Sequence, residues 1–244
     1  MICKALAIDA PFRWVKMGWR FVMLSPLGFL SAVLFSFALA GNLIGNYQDF
    51  KWVTRITKSL LMPLLLLMFI TTYQGERPHL IYLALGFSFL GDFFLLFNSK
   101  EANTFFILGS ISFILAHICY FLWFLLFSLP NLISPLMVLT TLFLVPLTIW
   151  FWKTICRHGH RYTPALIVYS LLIDLLVIAS TLTWSKGPLL GTLLAFMGAL
   201  LFGFSDFLIA MRVIGRPVDD NVMVMMSYSL AQFLLVCGVV LLAY

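Results

Sequence analysis

Two aspartates lie inside strongly apolar stretches, each in a similar short motif. Asp92 ends Leu85-Gly-Phe-Ser-Phe-Leu-Gly-Asp, and Asp206 ends Leu201-Phe-Gly-Phe-Ser-Asp. An ionisable side chain at the centre of a membrane helix costs about 3 kcal/mol on insertion scales, so its presence points to function. Two of them in matching contexts suit paired acid/base chemistry, or a pathway for protons or ions.

Other polar residues sit in the same kind of surroundings. His117 lies deep in an apolar run with Tyr120 three residues on, so both can reach one cavity. A lone buried histidine is more often a structural hydrogen-bonding group than a ligand. His79 lies at an edge and His158 and His160 in a loop, so the pattern predicts no metal site. Asp174 follows Tyr169 and Ser170, and either catalytic support or a structural ion pair accounts for it. Lys58 opens the second apolar run. Its ammonium either snorkels to headgroups or turns inward to a lipid phosphate or a carboxylate.

The elements that position these groups must be membrane helices. The chain of 244 residues is 63% hydrophobic and 10% charged, which excludes an ordinary soluble domain. Eight apolar runs long enough to span recur, at roughly 22–41, 56–73, 79–98, 104–128, 132–152, 164–184, 188–212 and 221–243. The expected fold is all-α, a bundle of eight transmembrane helices over 21–244 after a basic, aromatic segment at 1–20. The net charge of +6 comes from residues scattered among loops, such as Arg13, Lys16, Arg20, Lys51, Arg55, Lys153, Arg157 and Arg161. Phosphate headgroups explain them better than nucleic acid does. Cys3, Cys119, Cys156 and Cys237 show no paired spacing.

The N-terminus imitates a secretory signal, with basic residues, an apolar run and Ala38-Leu39-Ala40; the length of the run favours a retained first helix. Four basic residues before Phe21 place that end inside. The opposite face nevertheless collects nine Lys/Arg against six, counting Lys58 and Arg212.

The second half of the chain echoes the first. Leu115-Ala116-His117 matches Leu230-Ala231-Gln232 at an offset of 115, and the aspartates are offset by 114. A four-plus-four parallel duplication would produce this and would put a site at the interface of the halves. Gly191, Ala195, Ala199 and Gly203 form a small-residue stripe leading to Asp206, while Ala84, Ser88 and Asp92 share one helical face. That spacing predicts a hydrogen bond from Ser88 to Asp92, and both acids pointing into the bundle.

Taken in order, Lys58 before a proline-containing Leu-rich helix, Ser88-x-x-Gly91-Asp92, Ala116-His117-x-x-Tyr120, Tyr169 and the run from Gly198 to Ser205-Asp206 resemble the lysoplasmalogenase-like family. These are eight-helix membrane proteins with bacterial and animal members. The resemblance runs from Lys58 to the C-terminus. It departs at Ser59, where proline usually follows the lysine, and in the N-terminal extension. It implies hydrolysis of the vinyl ether bond of a lysophospholipid, the lysoplasmalogen, to a fatty aldehyde and a glycerophospho-ethanolamine or -choline. No cofactor is implied. A bacterial member would sit in the inner membrane.

Such a bond is cleaved by protonating its β-carbon, after which water captures the oxocarbenium ion and the hemiacetal collapses. A neutral carboxyl and an ionised one meet that need, as in glycosidases. Two close carboxyls in a low-dielectric cavity cannot easily both ionise. The resemblance therefore implies Asp92 and Asp206 as the catalytic pair, with Ser88 and Ser205 orienting them. His117, Tyr120 and Tyr169 would support them, and Lys58 would meet the substrate phosphate.

From the residues alone, without the resemblance, a proton-coupled transporter of a small solute or lipid accounts for the acids slightly better. Few helices carry central breaks, however; Pro63 and Pro146 are the internal prolines. A non-catalytic lipid-binding scaffold would require the acids to be no more than a satisfied interhelical network.

Overall fold

A backbone crossing hydrocarbon must satisfy its own hydrogen bonds, and the helix does so within one segment. The computed structural model describes residues 25–97, 104–130, 133–216 and 221–243. Its helices are α1 (Pro26–Tyr47), α2 (Lys51–Thr72), α3 (Pro78–Leu96), α4 (Thr104–Ser128), α5 (Pro135–His158), α6 (Thr163–Leu182), α7 (Leu189–Val213) and α8 (Asn221–Leu242). All eight are long and apolar enough to cross a membrane, and no strand occurs among the described residues. The protein is an integral multi-pass membrane protein. The basic segment 1–20, with Arg13, Lys16 and Arg20, lies outside the described residues.

Local chemistry sets several helix starts. Ser25 and Ser134 each accept a hydrogen bond from a backbone N–H three residues on, at 3.0 Å, and proline follows each at the first helical position. The serine satisfies an orphan donor, while the proline has no N–H to lose there.

Two helices begin or end differently from their apolar runs. Helix α1 continues to Tyr47, so Ala38-Leu39-Ala40 lies in its interior, and α2 starts at Lys51, which puts Lys58 two turns inside it. The cause is polar pairing across the α1–α2 hairpin. Asn42 Nδ2 donates to the Thr54 carbonyl at 3.0 Å and to Thr57 Oγ1 at 3.1 Å, so both helices extend through residues that hydropathy alone leaves in loops.

Helix α8 is the most enclosed, with 67% of its membrane window buried, and α5 the most peripheral, with 17%. Helices α7 and α8 approach closely through small residues. A Cβ on Gly198 would lie 2.7 Å from the Leu235 backbone nitrogen, and one on Gly238 would lie 2.6 Å from that of Ala195. Lipid tails are as apolar as leucine, so such close packing, together with interhelical hydrogen bonds, holds the bundle. The predicted stripe divides: Gly191 and Ala195 meet α8, while Gly203 faces Ile173 of α6. Helix α5 joins α6 by two rungs one turn apart. Thr148 Oγ1 donates to Asp174 Oδ2 at 2.7 Å, and Trp152 Nε1 donates to Ser170 Oγ at 2.9 Å.

Candidate active site

Asp206, on α7, is buried against two groups from other helices. Tyr169 of α6 donates its hydroxyl to Oδ2 at 2.9 Å, and His117 Nε2 of α4 lies 3.4 Å from the same oxygen. The opposite ring nitrogen, Nδ1, is 2.7 Å from the Phe113 carbonyl. A carbonyl only accepts, so Nδ1 carries a hydrogen, and in a neutral ring Nε2 presents its lone pair. The 3.4 Å approach lacks hydrogen-bond geometry, and Nε2 is buried without a hydrogen-bond partner. Two bare acceptors facing each other would repel, so the contact is favourable when one proton lies between the imidazole and the carboxyl. Asp206 and His117 thus form a close buried contact without a hydrogen bond between them.

Asp92, on α3, is held by a different set. Lys58 Nζ lies 3.4 Å from Oδ1, and Tyr228 of α8 donates to Oδ2 at 2.9 Å. The lysine side chain is only 14% exposed, so its ammonium points inward to the carboxylate. A buried charge needs such a partner, since an unpaired one is very costly.

An aromatic wall stands between the two centres. Phe202 packs edge-on against the His117 ring at 4.3 Å and against Tyr228 at 5.5 Å, and Phe113 meets both Phe202 and Tyr228. Beside it, Tyr120 donates to Gln232 Oε1 at 2.8 Å, and Gln232 Nε2 donates to Ser88 Oγ at 2.9 Å.

The arrangement is reciprocal. Each acid lies on the third helix of its half. Each takes one partner from the second helix of the same half, Lys58 or Tyr169, and one from the fourth helix of the other half, Tyr228 or His117. The sequence offset of 115 aligns Phe113 with Tyr228 and His117 with Gln232, so the two partners differ in register by one turn.

Asp206 also borders a cavity of about 390 Å³ between α5, α6 and α7. That volume falls within the range of small-molecule sites, roughly 300–1,000 Å³. Leu147, Trp150 and Phe204 line it and are also exposed on the outer surface, so its mouth faces the hydrocarbon side. Its polar lining comes from Thr148, Tyr169, Ser170, Asp174 and Asp206. Oδ2 of Asp206 accepts from Tyr169 and lies near His117 Nε2.

The structure therefore brings Asp206, His117 and Tyr169 together, and Asp92 with Lys58. The serines act elsewhere than expected. Ser88 accepts from Gln232, whose amide N–H needs an acceptor, and Ser205 donates to the Val224 carbonyl of α8 at 3.2 Å. Tyr120 belongs to the Gln232 network. Tyr228 escaped the sequence reading; its one signal was the alignment with Phe113, four residues before His117. Among the described residues, no three His, Cys, Asp or Glu side chains gather in a way that could hold a metal ion.

Eight spanning helices around two buried carboxyl centres, one bordering a cavity lined by outward-exposed apolar side chains, define a polytopic membrane protein. The sequence profile of the YhhN family matches residues 53–239, and the chain belongs to that family, which includes lysoplasmalogenases. No curated protein and no solved structure matches the chain.

Proposed function

We propose that the protein is a lysoplasmalogenase, hydrolysing the vinyl ether bond of a lysophospholipid to a fatty aldehyde and a glycerophospho-ethanolamine or -choline. The observation that carries this reading is the Asp206 carboxyl, bordering an apolar cavity with the buried Nε2 of His117 at 3.4 Å behind it. Family membership supports it.

The alkenyl chain enters from the bilayer past Leu147, Trp150 and Phe204. Asp206, carrying the proton it shares with His117, delivers it to the β-carbon. The carboxylate left behind faces the oxocarbenium ion in a medium of low dielectric, where opposite charges attract strongly. Asp92 lies across the aromatic wall and is a positioning residue. With its charge held by Lys58, it anchors Tyr228, whose ring braces Phe202 against His117.

The test is aldehyde release by purified protein in detergent, given an alkenyl lysolipid and, separately, its acyl and alkyl analogues. Aldehyde from the alkenyl substrate alone, lost in Asp206→Asn, is the expected result. No aldehyde from folded, monodisperse protein overturns the reading and favours a carrier, which needs a sealed compartment to act.

A further inference from the structure

Capture of an oxocarbenium ion requires a base for the incoming water, and Asp92 is not among the residues lining the cavity. Asp174 is. It sits on α6 five residues past Tyr169, a rise of about 7.5 Å, and borders the same space as Asp206. Its Oδ2 accepts from Thr148 of α5, which also lines the cavity. That hydroxyl holds the carboxyl in place at the cavity wall. Asp206 likewise accepts a hydroxyl, from Tyr169, but it alone of the two has an imidazole nitrogen beside it, His117 Nε2 at 3.4 Å, to hold or relay its proton. The cavity thus holds two carboxyls in surroundings that separate their roles, the arrangement expected of a general acid and a general base.

We propose that Asp174 is the base of the reaction, acting on the water that captures the oxocarbenium ion. This rests on the vinyl ether reading above. Asp206 gives its proton to the β-carbon, and the C=C electron pair forms that C–H bond. The water oxygen then bonds to the oxocarbenium carbon as Asp174 takes a proton from it. When the hemiacetal collapses, its hydroxyl proton returns to Asp206 and the carbon–glyceryl oxygen bond breaks. The leaving oxygen takes the proton held by Asp174. One water is consumed and both carboxyls return to their starting states.

The bland role for Asp174 is a tie between α5 and α6, and Asp174→Asn separates the two. The amide oxygen still accepts from Thr148, so the tie survives while the base is lost. In full-length protein in detergent, Asp174→Asn should unfold at the wild-type midpoint. Its kcat should fall about a hundredfold, with the acidic limb of the kcat–pH profile flattened. Asp174→Glu should restore part of the rate and the limb. A kcat within about threefold of wild type, or a loss of rate with an unchanged pH profile, overturns the proposal.

A second measurement does not depend on turnover. Dicyclohexylcarbodiimide, an apolar reagent for protonated carboxyls, should label Asp206 at the cavity but neither the ionised Asp174 nor the ion-paired Asp92. The alkyl lysolipid, which cannot be hydrolysed, should protect the labelled site. If wild-type protein releases no aldehyde yet protection is seen, the vinyl ether reading and the base role fail while the lipid site stands. Absence of protection, or labelling of Asp174 in place of Asp206, overturns the assignment of Asp174 as the base in a lipid-filled cavity.

Discussion

His117 Nε2 lies 3.4 Å from Asp206 Oδ2, while Nδ1 of the same ring is tied to the Phe113 carbonyl at 2.7 Å. The tie leaves Nε2 as the ring nitrogen that faces the Asp206 carboxyl. Asp206→Asn cannot deliver a proton to carbon, and we expect its kcat to fall by about 10²–10⁴ with an unchanged unfolding midpoint. His117→Gln should lose about tenfold to a hundredfold, since the acid remains but its proton is no longer positioned. Tyr169→Phe, which removes the second contact to Oδ2, should cost less than either. Steady-state aldehyde release across the three variants checks the order.

The Lys58–Asp92 pair gives a prediction about stability. Removing one partner leaves the other charge buried, at a cost of about 3–5 kcal/mol. Lys58→Met and Asp92→Asn should each destabilise strongly, the asparagine less because it still accepts from Tyr228. The double variant should be less destabilised than the sum of the two. Equilibrium unfolding in mixed detergents, arranged as a double-mutant cycle, reads the coupling. An additive result would mean that Lys58 snorkels to the headgroups instead.

The helices were legible in the sequence because hydrocarbon imposes a long apolar run on each span, and Asp92 and Asp206 were legible because a carboxyl there is costly. What spacing could not supply was the choice of partner. Ser88 and Asp92 share a helical face, yet the Gln232 amide on α8 claims the serine, and Tyr228 supplies the hydroxyl to Asp92. Asp174 stood out in the sequence, but its place beside Asp206 depends on how the peripheral α5 leans on α6 and α7, which no local pattern encodes. Helix ends shifted where polar side chains pair across a hairpin, as Asn42 does with Thr57.

Glycine positions test the packing of α7 on α8. A methyl group on Gly198 would meet backbone atoms, Leu235 N at 2.7 Å and Ala231 O at 2.9 Å, which cannot rotate away. Gly198→Ala should therefore cost about 1–3 kcal/mol by forcing the helices apart. Gly86→Ala is the control, because nothing lies within 4 Å of the added carbon. There the gain in helix propensity should stabilise α3 by up to about 1 kcal/mol. Unfolding midpoints of the two variants should move in opposite directions.

Tyr228 separates two contributions that a single deletion would merge. Tyr228→Phe keeps the ring against Phe113 and Phe202 while removing the donor to Asp92. A hydrogen bond to a charged group contributes about 1.5–3 kcal/mol, so stability should drop by that order, with kcat reduced only modestly. Tyr228→Leu also removes the ring that braces Phe202 beside His117. If the aromatic wall positions the Asp206 proton, the leucine variant should lose about tenfold more kcat than the phenylalanine variant, with KM little changed. Equal kcat in the two variants would show that the wall only fills space, and that Asp92 contributes to the fold rather than to the reaction.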